Sequence, residues 1–160
     1  MVLPAALYTI GYQKSRFEDL LAVLSETGIV TLIDVRDSPF SRLAQFSRPT
    51  LAKALGEAGI AYHHLGGLGN PTEGREAAQR GDQEGYRRIM MARLATPRGQ
   101  ADLGAAIALS HAGPACLLCQ EREPSRCHRI LIAAEMAHRA GFHVIHLKVP
   151  ADDDRQPSLF

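Results

Sequence analysis

Short apolar runs alternate with amphipathic stretches of helical length along almost the whole chain. Leu7 to Ile10 reads as a strand closed by Gly11. Phe17, Leu20, Leu21 and Leu24 then recur at helical spacing between Arg16 and Thr27. Ser15, with Glu18 three residues on, makes a capping box for that helix, and Gly28 ends it. Residues 30–35 are nearly all apolar, as expected of a strand covered on both faces. A loop over 36–49, a helix over 50–58, a strand over 60–65 and a flexible stretch over 66–79 follow. Two helical segments, 82–94 and 99–111, are separated at Pro97. A strand over 115–118, a helix over 127–140 and a last strand over 142–147 complete the pattern. This order predicts an α/β domain over residues 1–148, Rossmann-like and three-layered, with a mainly parallel five-stranded sheet. The acidic, proline-bearing segment 149–160 is expected to be a flexible tail.

Composition narrows the function classes. With 160 residues, 46% apolar and 22% charged, the chain has a globular make-up and enough length to bury a core. A net charge of +1 gives no global basic coat for nucleic acid, though it leaves room for a local patch. Of the 18 basic residues only Lys14, Lys53 and Lys148 are lysine, so the rest are arginine, whose planar fork suits phosphate and carboxylate. No apolar run approaches the roughly 20 residues of a membrane span. The first six residues lack the basic start and long apolar stretch of a secretory signal. Three cysteines, an odd count, suit reduced thiols. A cytoplasmic protein with no membrane partner is the expectation.

A parallel sheet sets the carboxyl ends of its strands along one rim, where ligands collect. Strand one delivers Gly11 and Tyr12. Strand two delivers Asp34 and Arg36, then Ser41 and Arg42. Strand three delivers Gly66 and Gly67. Strand four delivers Cys119 and Glu121, then Cys127, His128 and Arg129. So much polarity after four separate strands predicts a pocket. Glu121 and Asp34 are its candidate general acid and base, and Cys119 its candidate nucleophile. Cys127 and His128 stand at the expected start of a helix, where backbone N–H groups favour an anion. Arg36, Arg42 and Arg129 add fixed charge for phosphate. The interval from Cys119 to Cys127 is not that of a zinc knuckle, and adjacent Cys127 and His128 diverge if both lie on a helix. No metal and no other cofactor is therefore expected.

With these residues in view, the chain resembles the DUF488 family, a domain named for its unknown function. The matching pieces are Thr9-Ile10-Gly11-Tyr12, Asp34-Val35-Arg36 with Pro39 and Ser41-Arg42, Phe46, Tyr62 with Leu65-Gly66-Gly67, Tyr86, and Cys119-Gln120-Glu121 with Pro124 and Cys127-His128-Arg129. They run in family order over about residues 7–147, and the Cys-x-Glu…Cys-His-Arg segment is the most distinctive. The family often shows Gly-His-Ser after strand one, where this chain has Gly11-Tyr12-Gln13-Lys14-Ser15. The resemblance implies the fold and the site, and it brings no settled reaction.

The last five residues, Gln156 to Phe160, resemble the pentapeptide by which bacterial repair and replication proteins dock on the DNA sliding clamp. Gln156 suits a small polar pocket, while Leu159 and Phe160 suit an apolar cleft. The first expectation is thus an enzyme acting on DNA or a nucleotide-like anionic ligand and recruited through this tail. Cleavage of a base–sugar (N-glycosidic) bond would suit carboxylates working without metal. Two alternatives stand beside it: a small-molecule enzyme using a cysteine thiolate, and a non-catalytic module that binds a phosphorylated ligand.

Overall fold

The computed structural model describes residues 3–152. Five strands form one sheet: β1 (Ala6–Gly11), β2 (Thr31–Asp34), β3 (Ala61–His64), β4 (Ala115–Cys119) and β5 (His143–His146). Six helices join them: α1 (Phe17–Thr27), α2 (Arg48–Glu57), α3 (Thr72–Gln79), α4 (Gln83–Leu94), α5 (Pro97–Ala112) and α6 (Arg129–Ala140). The order across the sheet is β3-β2-β4-β1-β5, and all four pairings are parallel. This is the Rossmann-like, three-layer α/β architecture that the alternating pattern predicts.

The connections account for the layers. From β1 to β3 the chain steps one way across the sheet, and from β3 to β5 it steps back. Right-handed crossovers therefore place α1 and α2 on one face and α3 to α6 on the other. Each face has its own core, because neighbouring residues of a strand point to opposite sides. Leu20, Leu24, Leu51 and Leu55 pack with Ile10, Leu32 and Leu118. Met90, Leu94, Leu103, Ile132 and Met136 pack with Leu7, Ile33 and Leu117.

Several local expectations are corrected. Residues 66–79 are not a loop, since a 3₁₀ turn (Gly66–Leu68) and α3 occupy most of them. Pro97 does not merely separate two helices: it sits in the first turn of α5, where its missing N–H costs nothing, and Thr96 caps the Gly99 amide. The capping box fails. Arg16 is the N-cap of α1 and makes no side-chain cap. Ser15 instead bridges Ala151. That bridge also shows that the C-terminal segment does not leave the domain at residue 149. Val149 is buried, the Asp152 amide donates to the Lys14 carbonyl, and Arg16 pairs with the Asp152 carboxylate at 2.6 Å. Gln156, Leu159 and Phe160 lie outside the described residues. Among the described residues no helix is long and apolar enough to cross a membrane.

The register levels the strand ends. Gly11 sits opposite Cys119, and Asp34 opposite both Leu118 and His64. After β2 the chain turns toward β3, while after β4 it turns toward β5. The loops diverge there and leave a crevice over the ends of β2 and β4.

Candidate functional site

A cavity of about 220 Å³ occupies that crevice. Tyr12, Arg36, Asp37, Ser38, Cys119, Glu121 and His128 all face it. A second hollow of about 400 Å³ adjoins it, with Tyr86, Ser125 and Arg126 in its wall. Asn70, Arg75 and Glu121 belong to both walls, so the two form one cleft with Glu121 where they meet.

Glu121 is held from the backbone. The loop after β1 continues the ladder with β4: the Tyr12 amide donates to the Cys119 carbonyl and the Gln13 amide to the Gln120 carbonyl. Arg129, completely buried, then donates from Nη1 to the Glu121 carbonyl and from Nη2 to the Arg122 carbonyl, with its Nε on the Thr9 hydroxyl. Gly11 completes the seat, because a side chain there would fall on the Glu121 carbonyl oxygen. Gly11→Ala should therefore push the Glu121 loop out of place. A stability loss of about 1–3 kcal/mol is expected from the forced backbone shift, read as a lower urea midpoint. An unchanged midpoint would show that the loop adapts freely.

Asp34 and Arg36 form a second buried unit. Arg36 Nε and Nη2 donate to the two Asp34 carboxylate oxygens at 2.9 and 2.7 Å. Its Nη1 donates to the Phe46 carbonyl and the Tyr12 hydroxyl, and the Tyr62 hydroxyl donates to Asp34 at 2.5 Å. Burial opposes a charge on Arg36, yet the Asp34 carboxylate holds its guanidinium above the ordinary value. Burial and the Asp34 carboxylate likewise push the Tyr62 phenol up, so it stays a donor. Tyr12 stacks on Phe46, with ring centres 4.4 Å apart, and fixes the cavity wall.

Beside Glu121 lies a cluster of sulfur and nitrogen. The Cys119 thiol is 3.2 Å from Glu121 Oε2 and 3.5 Å from His128 Nδ1. Cys127 Sγ is 3.8 Å from the same Nδ1. His128 Nε2 donates to the Val35 carbonyl at 2.6 Å, which directs the Nδ1 lone pair at both sulfurs. Burial, and then the neighbouring Cys119, push the Cys127 thiol well above its usual range. An unliganded Cys127 is therefore neutral and a poor nucleophile.

The expected site residues thus divide by location. Tyr12, Arg36, Cys119, Glu121 and His128 meet at the cavity, with Cys127 behind His128. Gly11, Asp34 and Arg129 lie beneath it and face the chain. Asp34 has no exposure at all and its oxygens are taken by Arg36 and Tyr62, so it positions Arg36 and is not placed as an acid or base toward substrate. Arg129 and Arg36 spend their donors on the protein, so the expected phosphate grip by these two is replaced by a supporting role. Ser41 stitches its own loop through Leu43 and Ser47, and exposed Arg42 lines neither hollow. Gly66 and Gly67 lie beside α4 and α5, where Arg93 donates to the Gly66 carbonyl and the Gly67 amide to Asp102. The expected divergence of Cys127 and His128 is also overturned. The 3₁₀ turn Pro124–Arg126 leaves Cys127 extended (φ −127°, ψ 141°) and α6 starts only at Arg129, so both side chains turn inward.

Sequence reasoning missed Phe40, Asn70 and Arg75. Phe40 is 65% exposed on the cavity wall, an unusual place for a large aromatic. Arg75, on α3, leans over the cleft and pairs loosely with Asp37 at 3.6 Å. The Asn70 Oδ1 atom is buried without a partner among the described residues. An exposed aromatic next to arginines is a signal, but one visible only once α3 is known to exist.

The family profile described as "Domain of unknown function DUF488" matches residues 16–136. The chain belongs to the DUF488 family. No curated protein and no solved structure matches it. The matched region of this DUF488 domain contains every lining residue of the cleft except Tyr12.

Proposed function

We propose that this DUF488 domain is a cytoplasmic hydrolase that acts on DNA or a nucleotide-like anion, with Glu121 as its general base. Cleavage of a base–sugar bond in DNA repair is the reaction it suits. The observation that carries the reading is the position of Glu121: one half-buried carboxylate at the junction of two hollows, with Arg75 and Arg126 in the walls. Guanidinium groups beside a carboxylate, Arg126 exposed and Arg75 paired only loosely with Asp37, suit a substrate with phosphates next to the reacting sugar. At about 220 Å³ the inner cavity is smaller than the roughly 300 Å³ and more of drug-sized pockets. That scale suits a single flipped base. Phe40 at its wall offers a face on which a base can stack. A carboxylate there activates water and stabilises an oxocarbenium-like sugar.

The C-terminal pentapeptide, Gln156 to Phe160, supports recruitment by the sliding clamp. Removing these five residues should abolish capture by immobilised clamp and leave DNA binding by the domain unchanged. Equal capture of both forms would remove this part of the reading. Arg75→Ala and Arg126→Ala should each weaken DNA binding regardless of sequence. Each should also lower the salt dependence of binding by roughly one phosphate contact. Binding that is insensitive to both would overturn the DNA reading.

One observation favours a second reading, in which Cys119 is a thiolate nucleophile. His128 Nδ1 is within 3.5 Å of its sulfur and is oriented by Val35. Alkylation of Cys119 by iodoacetamide well below pH 8 would favour that reading over the first.

A further inference from the structure

We propose that Cys119, Cys127 and His128 bind a soft divalent transition metal, zinc by preference, whose fourth coordination position opens into the inner cavity beside Glu121. The spacing of the donors carries the inference. His128 Nδ1 lies 3.5 Å from one sulfur and 3.8 Å from the other, and all three atoms lie within 4.8 Å of one another. Tetrahedral zinc with bonds of about 2.3 Å to sulfur and about 2.0 Å to nitrogen sets these donors roughly 3.6 Å apart. The ligands already stand near coordination spacing.

The surroundings are also those of a metal ligand set. A metal-bound histidine generally gives its other ring N–H to a carbonyl or carboxylate. Here Nε2 donates to the Val35 carbonyl at 2.6 Å, so Nδ1 is the nitrogen with a lone pair to offer. The amide of Arg129, first residue of α6, donates to Cys127 Sγ at 3.5 Å and would soften a thiolate charge. All three ligand residues are buried. Two sulfurs and an imidazole select zinc over the oxygen-seeking magnesium and calcium.

The open position follows from the cavity. Cys119 and His128 form part of its wall, and Cys127 sits behind them. Three protein ligands with a fourth place facing a cavity is the arrangement of a catalytic zinc, in contrast to the closed structural kind. A water in that place would lose its proton more readily, and Glu121, 3.2 Å from Cys119, stands ready to accept it. The site stands on ligand geometry and not on any substrate, so metal binding and action on DNA succeed or fail separately.

The test uses the full chain. Metal content is measured by elemental mass spectrometry after dialysis, and the emptied protein is titrated with Co²⁺. One metal ion per chain is expected, with the strong visible bands of tetrahedral cobalt and a thiolate-to-cobalt charge-transfer band, both displaced by zinc. Cys119→Ser, Cys127→Ser and His128→Gln should each weaken binding by more than ~100-fold. Cys116→Ala should not, because Cys116 packs in the core on the other face of the sheet. Alkylation of the unaltered chain guards against misfolded variants: zinc should protect Cys119 and Cys127 from iodoacetamide. Cobalt lacking the thiolate band, or equal alkylation with and without zinc, overturns the proposal.

Discussion

Asp34→Asn should destabilise the domain by about 3–5 kcal/mol, the usual cost of removing one partner from a buried ion pair. The substitution keeps the shape of the side chain and an acceptor for the Tyr62 hydroxyl. What it removes is the charge facing Arg36, and no second carboxylate bonds that guanidinium among the described residues. Net stabilities of domains are about 5–15 kcal/mol, so the loss is a large share of the whole. It should appear as a fall in urea midpoint with an unchanged slope. The double variant Asp34→Asn with Arg36→Met should cost less than the two single changes added together, since neither charge is then left alone. The same variant separates support from chemistry. If Asp34 only positions Arg36, turnover per folded molecule should stay within a few-fold of the unaltered chain. A drop of ~100-fold or more at full folding would mean that Asp34 takes part in proton transfer after all.

How much of this was legible in the sequence depends on what each residue touches. The sheet was legible, because buried parallel strands announce themselves as continuous apolar runs such as Ala115-Cys116-Leu117-Leu118 between helical patterns. The rim followed, since a parallel sheet brings Gly11, Asp34 and Cys119 to one end whatever the loops do. Roles within the rim did not follow. Asp34 and Glu121 look alike as carboxylates after strands. Only burial parts them, and Asp34 is sealed under Tyr62 while Glu121 meets solvent. Arg129 reads as a charge for a ligand and turns out to hold carbonyls, because a pattern of charges does not say which backbone groups need a donor. Helix α3 was hidden by its own loop-like composition, with Pro71 before it and Gly74 within. Gly74 is there because the Asn70 side chain occupies the space a Cβ would take. Cys127 and His128 were misplaced for a similar reason: helical periodicity ran past the true start of α6, and the turn at Pro124 resets the chain before it.

If the domain acts on DNA as proposed, Glu121→Gln should lower turnover by about 10²–10⁴-fold, the usual contribution of a positioned general base. A panel of duplexes, each with one damaged base, supplies the assay. The amide keeps the size of the side chain and leaves the seat of the loop untouched, since Arg129 and the β1 loop bond the backbone of this segment and not the carboxylate. Binding of the same duplexes should therefore change no more than a few-fold, and the loss should fall on kcat with KM nearly constant. That split is the mark of an interaction made in the transition state and absent from the ground state. Arg75→Ala, by contrast, should raise KM and spare kcat, because it removes attraction felt equally before and during reaction. A Glu121→Gln chain that keeps full turnover would sink the assignment, since no other cleft carboxylate is without an arginine partner: Asp37, which also faces the inner cavity, is tied to Arg93 at 2.7 Å and to Arg75. Of the two carboxylates that face the cleft, Glu121 is thus the one left without a guanidinium partner among the described residues, which is why the proposed proton transfer is tested there.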